Sequence, residues 1–153
     1  MRVHIGTDHA GFAAKTAIVE ALRRRGYEVV DHGAEVEDPE DDYPDFVIPA
    51  AEAVAREPGS LGIVLGGSGN GEAMAANLVR GIRCALIYSQ ATAELARQHN
   101  DANVAAIGGR QHSLAEAVDL AITFLTTDFS GEPRHQRRID QLTAYETAAG
   151  LAA

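Results

Sequence analysis

Short apolar runs rich in β-branched residues alternate along this chain with longer stretches whose apolar residues recur every three or four positions. The runs are apolar almost continuously, which suits strands covered on both faces, so the pattern predicts a parallel sheet wrapped by helices, an α/β fold. Five strands are expected: Arg2–Gly6, Tyr27–Asp31, Leu61–Leu65, Arg83–Ile87 and Val104–Ile107. Helices are expected over Phe12–Arg25, Pro44–Arg56, Glu72–Val79, Ser89–His99 and Ser113–Thr126, with a C-terminal helical tail, Ile139–Ala148. In the fifth of these, Leu114, Val118, Ala121, Ile122 and Leu125 fall on one stripe that should be buried. The length, 153 residues, fits a single domain spanning 1–153.

Charge narrows the class of partner. With 22 acids against 13 bases the net charge is −9, which argues against nucleic acid and against an anionic membrane, because both need a basic field. An anionic ligand must then meet a local basic cluster. One cysteine, Cys84, forms no internal disulfide and supplies no thiolate metal site; it reads as a small buried hydrophobe. Neither a signal peptide nor a membrane span is expected, and a cytoplasmic location follows. Glu35, Glu37, Asp38, Glu40, Asp41, Asp42 and Asp45 crowd one segment, read as a solvated loop rather than a calcium site because the EF-hand spacing is missing.

In open parallel sheets ligands sit beyond the carboxyl ends of the strands, which directs attention to the turns. Three carry chemistry: Gly6-Thr7-Asp8-His9-Ala10-Gly11, Gly66-Gly67-Ser68-Gly69-Asn70-Gly71-Glu72, and His99-Asn100-Asp101-Ala102-Asn103. Four glycines in six positions let successive N–H groups converge at a helix N-terminus, a cup for an anion or oxyanion. The alternative is a tight turn without a ligand. A Walker loop is excluded because the one lysine, Lys15, lies elsewhere, and a serine-hydrolase elbow would need glycine where Asn70 stands. The phosphoacceptor signalling layout also fails, with Gly66 and Gly108 where it needs aspartate and lysine.

Glu72 borders the cup. The helix dipole alone favours an acid there, yet a carboxylate beside an oxyanion trap is also what proton abstraction next to a carbonyl requires. His99 falls at a helix C-terminus, either as a cap or as a protonated acid able to open a sugar ring. Asp8 and His9 follow the first strand and face a ligand or hydrogen-bond within the loop. His4 lies inside that strand and is read as packing. Arg134, Arg137 and Arg138 form the dense basic cluster of an acidic chain, matching a phosphomonoester or a salt-bridged surface. Being far down the chain, the cluster has the option of reaching the cup of a second subunit.

Taken in order, Gly6-Thr7-Asp8-His9-Ala10-Gly11-Phe12, Asp42-Tyr43-Pro44-Asp45, the Gly66–Glu72 turn with Ala75-Ala76-Asn77, His99-Asn100-Asp101-Ala102-Asn103-Val104 and Arg134-His135-Gln136-Arg137-Arg138 resemble the ribose-5-phosphate isomerases of the B type, from residue 3 to about 140. The resemblance implies a Rossmann-like three-layer sandwich with a five-stranded sheet. It also implies a homodimer or dimer of dimers with shared active sites, the tail from about residue 129 lying at the dimer interface. The reaction implied is cofactor-free, metal-free interconversion of ribose 5-phosphate and ribulose 5-phosphate through an enediolate. Position by position it puts Asp8, His9, Tyr43 and Asn100 at the sugar and makes the Gly67, Ser68, Gly69, Asn70 and Gly71 stretch the anion hole. Ser68 would handle hydroxyl protons, His99 would open the ring, and Arg110, Arg134 and Arg138 would hold the phosphate. Many members place a cysteine base at the position of Gly66; a second branch has a glutamate where Glu72 stands, and this chain resembles that branch. Relatives acting on allose 6-phosphate or galactose 6-phosphate share the scaffold. A sugar-phosphate sensor that lost the chemistry would need only the anion-binding groups.

Overall fold

The computed structural model describes residues 1–152, with side chains described through residue 149, so Ala153 of the expected domain span lies outside the described residues. Five strands, β1 (Arg2–Thr7), β2 (Glu28–Asp31), β3 (Leu61–Gly66), β4 (Cys84–Leu86) and β5 (Val104–Gly108), form one parallel sheet in the order β2-β1-β3-β5-β4. Six α-helices accompany them: α1 (Phe12–Arg24), α2 (Pro44–Arg56), α3 (Asn70–Asn77), α4 (Gln90–Asn100), α5 (Leu114–Thr126) and α6 (Pro133–Ala152). A single 3₁₀ turn, His9–Gly11, leads from β1 into α1. No helix among the described residues is long and apolar enough to cross a membrane.

Strand alternation sorts the core into two layers. Val3 and Ile5 of β1, Leu61, Ile63 and Leu65 of β3, and Ala105 and Ile107 of β5 pack with α1, α4 and α5. Val64, Val104 and Ala106 point the other way, onto α2 and α3. This second face is built of small residues so that α2 lies close: a Cβ on Gly6 would come 2.5 Å from the Phe46 carbonyl oxygen. Each fully buried Ile or Leu contributes about 1.5–3 kcal/mol, and Ile5, Ile18, Ile63, Leu65 and Ile107 are all within 1% of complete burial.

The chain leaves β1 for β2 on one side and leaves β3 for β4 and β5 on the other. The strand order therefore reverses between β1 and β3, and α1 and α3 depart onto opposite faces. A crevice opens at the carboxyl ends of those two strands, the place where such sheets bind ligands. Thr7 pins it: its hydroxyl donates to the Leu65 carbonyl at 3.0 Å, tying the end of β1 to β3.

Several boundaries differ from expectation for physical reasons. Edge strand β4 has one neighbour and shrinks to three residues, with Arg83 accepting from Asn103 N–H just outside it. Helix α3 starts at Asn70 and stops at Asn77, whose side chain bonds both backbone groups of Cys84. Helix α6 starts at Pro133, so the basic cluster is helical rather than a preface to the helix. In α5 the buried stripe is Ala117, Leu120, Ala121, Phe124 and Leu125, while Leu114 is 49% exposed and Val118 and Ile122 sit at the margin. The expected stripe is rotated because Phe124 goes to the interior. His4 is buried but polar-bonded, to His32 at 2.9 Å and to Glu57 at 2.8 Å.

Candidate active site

At the end of β1, Asp8 caps the 3₁₀ turn by accepting from Ala10 N–H at 2.9 Å and is buried. At the end of β3 the chain breaks away through Gly69, whose φ of +84° is the left-handed conformation that glycine adopts without strain. A Cβ there would also meet Leu86 Cδ1 at 2.6 Å. The Ser68 hydroxyl accepts from Asn70 N–H at 3.2 Å, closing the turn into α3. The Gly66 and Gly67 carbonyls are consumed by N–H groups of Gly109 and Arg110, at 2.7 and 3.1 Å, which fixes the turn against the segment after β5.

Helix α3 turns Glu72 inward beneath this loop. Its side chain is 3% exposed, and Oε2 is buried without a partner. Burial pushes its pKa above the ordinary glutamate value; the Asp8 charge adds to the rise, while the N–H groups of Glu72 itself and of Gly69 oppose it. The Gly69 N–H is thus aimed partly at the chain's own carboxylate. A Cβ built on Gly66 would stand 1.7 Å from Glu72 Oε1, so the glutamate fills the volume that any side chain at 66 would need. Behind it, burial and the Glu72 charge push the Cys84 thiol up to about 12, which leaves that thiol inert.

Three more side chains complete this edge. Tyr43, at the N-cap of α2, lays its ring on Gly71, where a Cβ would meet Cζ at 2.7 Å. Arg110 is exposed beside Gly67, within 3.8 Å of a Cβ built there, and has no ion-pair partner among the described residues. His9 binds Asp41 twice: its backbone N–H and its ring Nδ1 reach Asp41 Oδ1 at 2.9 and 2.7 Å. Asp41 was hidden among the acids of the crowded loop, and the sequence pattern held no signal to single it out. It is the exception to the solvated-loop reading: Glu35, Glu37, Asp38, Glu40, Asp42 and Asp45 are exposed, while the Asp41 side chain is 10% exposed. Asp8, His9 and Asp41 bring ligand atoms within 4.8 Å of one another.

The remaining expected residues lie elsewhere. Helix α4 leaves the carboxyl end of β4 and returns to the start of β5, so His99 and Asn100 stand at the amino edge of the sheet, opposite Glu72. The third turn is therefore not at a strand's carboxyl end. There the His99 ring lies 4.2 Å from that of His135, which is buried and bonded to Ser130. Exposed Arg138 and Arg134 sit on the same first turns of α6, Arg134 bonded to Glu132 at 2.8 Å. Within one chain the residues form two groups: Asp8, His9, Tyr43, Gly67–Gly71, Glu72 and Arg110 in one, and His99, Asn100, Arg134 and Arg138 in the other.

A doubly wound α/β protein with a buried glutamate under a glycine-rich turn at its switch point is equipped for acid–base chemistry on a small polar ligand. Residues 3–142 match the ribose/galactose isomerase family, and the chain belongs to it. It is 56% identical over 146 residues to ribose-5-phosphate isomerase B of Mycobacterium tuberculosis, covering 95% of this chain and 90% of that protein. The fold superposes on ribose-5-phosphate isomerase B from Mycoplasma genitalium, solved with bound ribulose-5-phosphate, with a TM-score of 0.91, 41% identity and coverage of 95% and 96%. It also superposes on the type B ribose 5-phosphate isomerase of Trypanosoma cruzi, with a TM-score of 0.91, 40% identity and coverage of 97% and 99%.

Proposed function

We propose that this chain interconverts ribose 5-phosphate and ribulose 5-phosphate by proton transfer through an enediolate, with Glu72 as the base. The observation that carries the reading is the Glu72 carboxylate, lodged beside Gly66 under the turn with one oxygen unpartnered. In the open-chain aldose, Glu72 takes the proton from C2. The electron pair moves into a C1–C2 double bond, and the C1 oxygen becomes an oxyanion facing the turn's N–H groups. Ser68 carries the hydroxyl proton between the two oxygens, and Glu72 returns its proton to C1, giving the ketose. Asp8 and His9 hold the sugar, and Tyr43 walls the crevice. The M. genitalium relative with ribulose-5-phosphate supports a five-carbon substrate.

His99, Asn100, Arg134 and Arg138 enter this scheme from a second copy. Their place at the amino edge leaves each chain with two half-sites, and in a homodimer one copy's ring-opening histidine and phosphate arginines complete the other's crevice. Arg110, on the Glu72 side, meets the phosphate from within the same chain.

Turnover in deuterium oxide tests the chemistry. Deuterium enters the product when the proton on Glu72 exchanges with solvent before it is returned to C1, and exhaustive chelation leaves the rate intact; product free of deuterium together with a rate abolished by chelation means a metal-assisted hydride shift and overturns the proposal. A kcat/KM higher for allose 6-phosphate or galactose 6-phosphate than for ribose 5-phosphate overturns the chain length. Binding without turnover would make the chain a sensor.

A further inference from the structure

We propose that Asp41 is a positioning residue for the isomerisation, holding the His9 ring in one orientation and one tautomer so that Nε2 is its free nitrogen in the crevice. This rests on the function proposed above. The bond is no ordinary surface pair, which would contribute about 0–1 kcal/mol. One oxygen, Asp41 Oδ1, accepts from both the main-chain N–H and the ring of the same residue, so ring and backbone are fixed together. A histidine whose Nδ1–H is so held offers Nε2 as an acceptor when neutral and as a donor when charged.

Local structure delivers Asp41 to this place. Asp38 opens a turn: its carbonyl accepts from Asp41 N–H at 3.1 Å, and its side chain accepts from Glu40 N–H at 3.0 Å. Two residues on, Tyr43 begins α2 and lies on Gly71. The loop thus supplies both a wall of the crevice and a brace for the opposite wall. Asp41 Oδ2 is buried without a partner, a cost to the fold that the two hydrogen bonds His9 donates to Oδ1 offset. The charged groups facing His9 are Asp41, Asp8 and Arg110; the two carboxylates favour the imidazolium and the guanidinium opposes it, with the net pKa raised.

The test combines nitrogen-15 NMR of His9 in the ligand-free protein with kinetics on Asp41→Ala, Asp41→Asn, His9→Asn and the double variant. Asp41→Ala should mix the His9 tautomers, lower its titration midpoint, and cut kcat/KM by ~10- to 100-fold, the scale of a misplaced group. Asp41→Asn, which keeps an acceptor oxygen but no charge, should recover the tautomer and most of kcat/KM while the midpoint stays low. On a His9→Asn background Asp41→Ala should cost less than twofold. A full, multiplicative loss on that background overturns the proposal, as does an Asp41→Asn or Asp41→Ala protein whose His9 tautomer and midpoint match the parent. The NMR arm needs no substrate, so a parent protein inactive on ribose 5-phosphate sinks the functional reading while His9 still decides the role of Asp41.

Discussion

Glu72 stands under opposing demands. A base has to be ionised to take a proton, yet burial favours its protonated form and the Asp8 charge adds to that. The acid limb of kcat/KM should therefore lie above the ordinary glutamate range, where a steady-state pH profile will find it. Because the folded pKa is raised, the folded chain holds the proton more tightly than the unfolded chain. Stability then falls as pH rises from the ordinary glutamate value through the raised one. Glu72→Gln removes both effects: kcat should drop at least ~100-fold with substrate binding kept, while thermal melting at neutral pH moves up relative to the parent and at strongly acid pH does not. Gly66→Ala tests the space next door. A methyl group 1.7 Å from Oε1 has to expel the carboxylate, so its kcat should fall toward that of Glu72→Gln.

At the scale of elements, the start of α3 aims Glu72, and Gly69 sets that start. Gly69→Ala forces a side chain into the left-handed region and against Leu86, which should cost ~1–2 kcal/mol from the backbone alone and lower kcat with it. Ser113→Ala is the matching control. It breaks the capping box of α5, formed by Glu116 N–H to the Ser113 hydroxyl at 3.2 Å and Ser113 N–H to Glu116 at 2.7 Å. It should cost ~1 kcal/mol in denaturant unfolding and leave kcat unchanged. The alternating apolar runs made these elements legible, since periods of two and 3.6 depend only on local geometry. What stayed illegible was tertiary. The interior face of α5 was settled by where Phe124 fits, whereas the edge at which His99 stands follows from any helix joining two parallel strands and was already implied by the expected order of elements. One half-buried aspartate among six exposed acids has no mark in a charge count, so Asp41 emerged only with the fold.

For the whole molecule the decisive fact is the separation of Glu72 from His99, Arg134 and Arg138 across the sheet. Two inactive variants, Glu72→Gln and His99→Asn, should regain activity when mixed and refolded together, because in the homodimer proposed above a mixed pair contains one crevice with both native groups. Recovery toward a quarter of parental turnover, read by coupled assay against each variant alone, is the expected ceiling for random pairing when each crevice draws on two chains. No recovery would mean that each chain completes its own site.

The close fit of the Glu72 carboxylate against Gly66 couples two positions in descent. A lineage gaining a side chain at 66 while retaining this acid would crowd the cavity, and one losing the acid first would be left with neither group. Residues 66 and 72 should therefore covary as a unit, a side chain at 66 and a glutamate at 72 not occurring together.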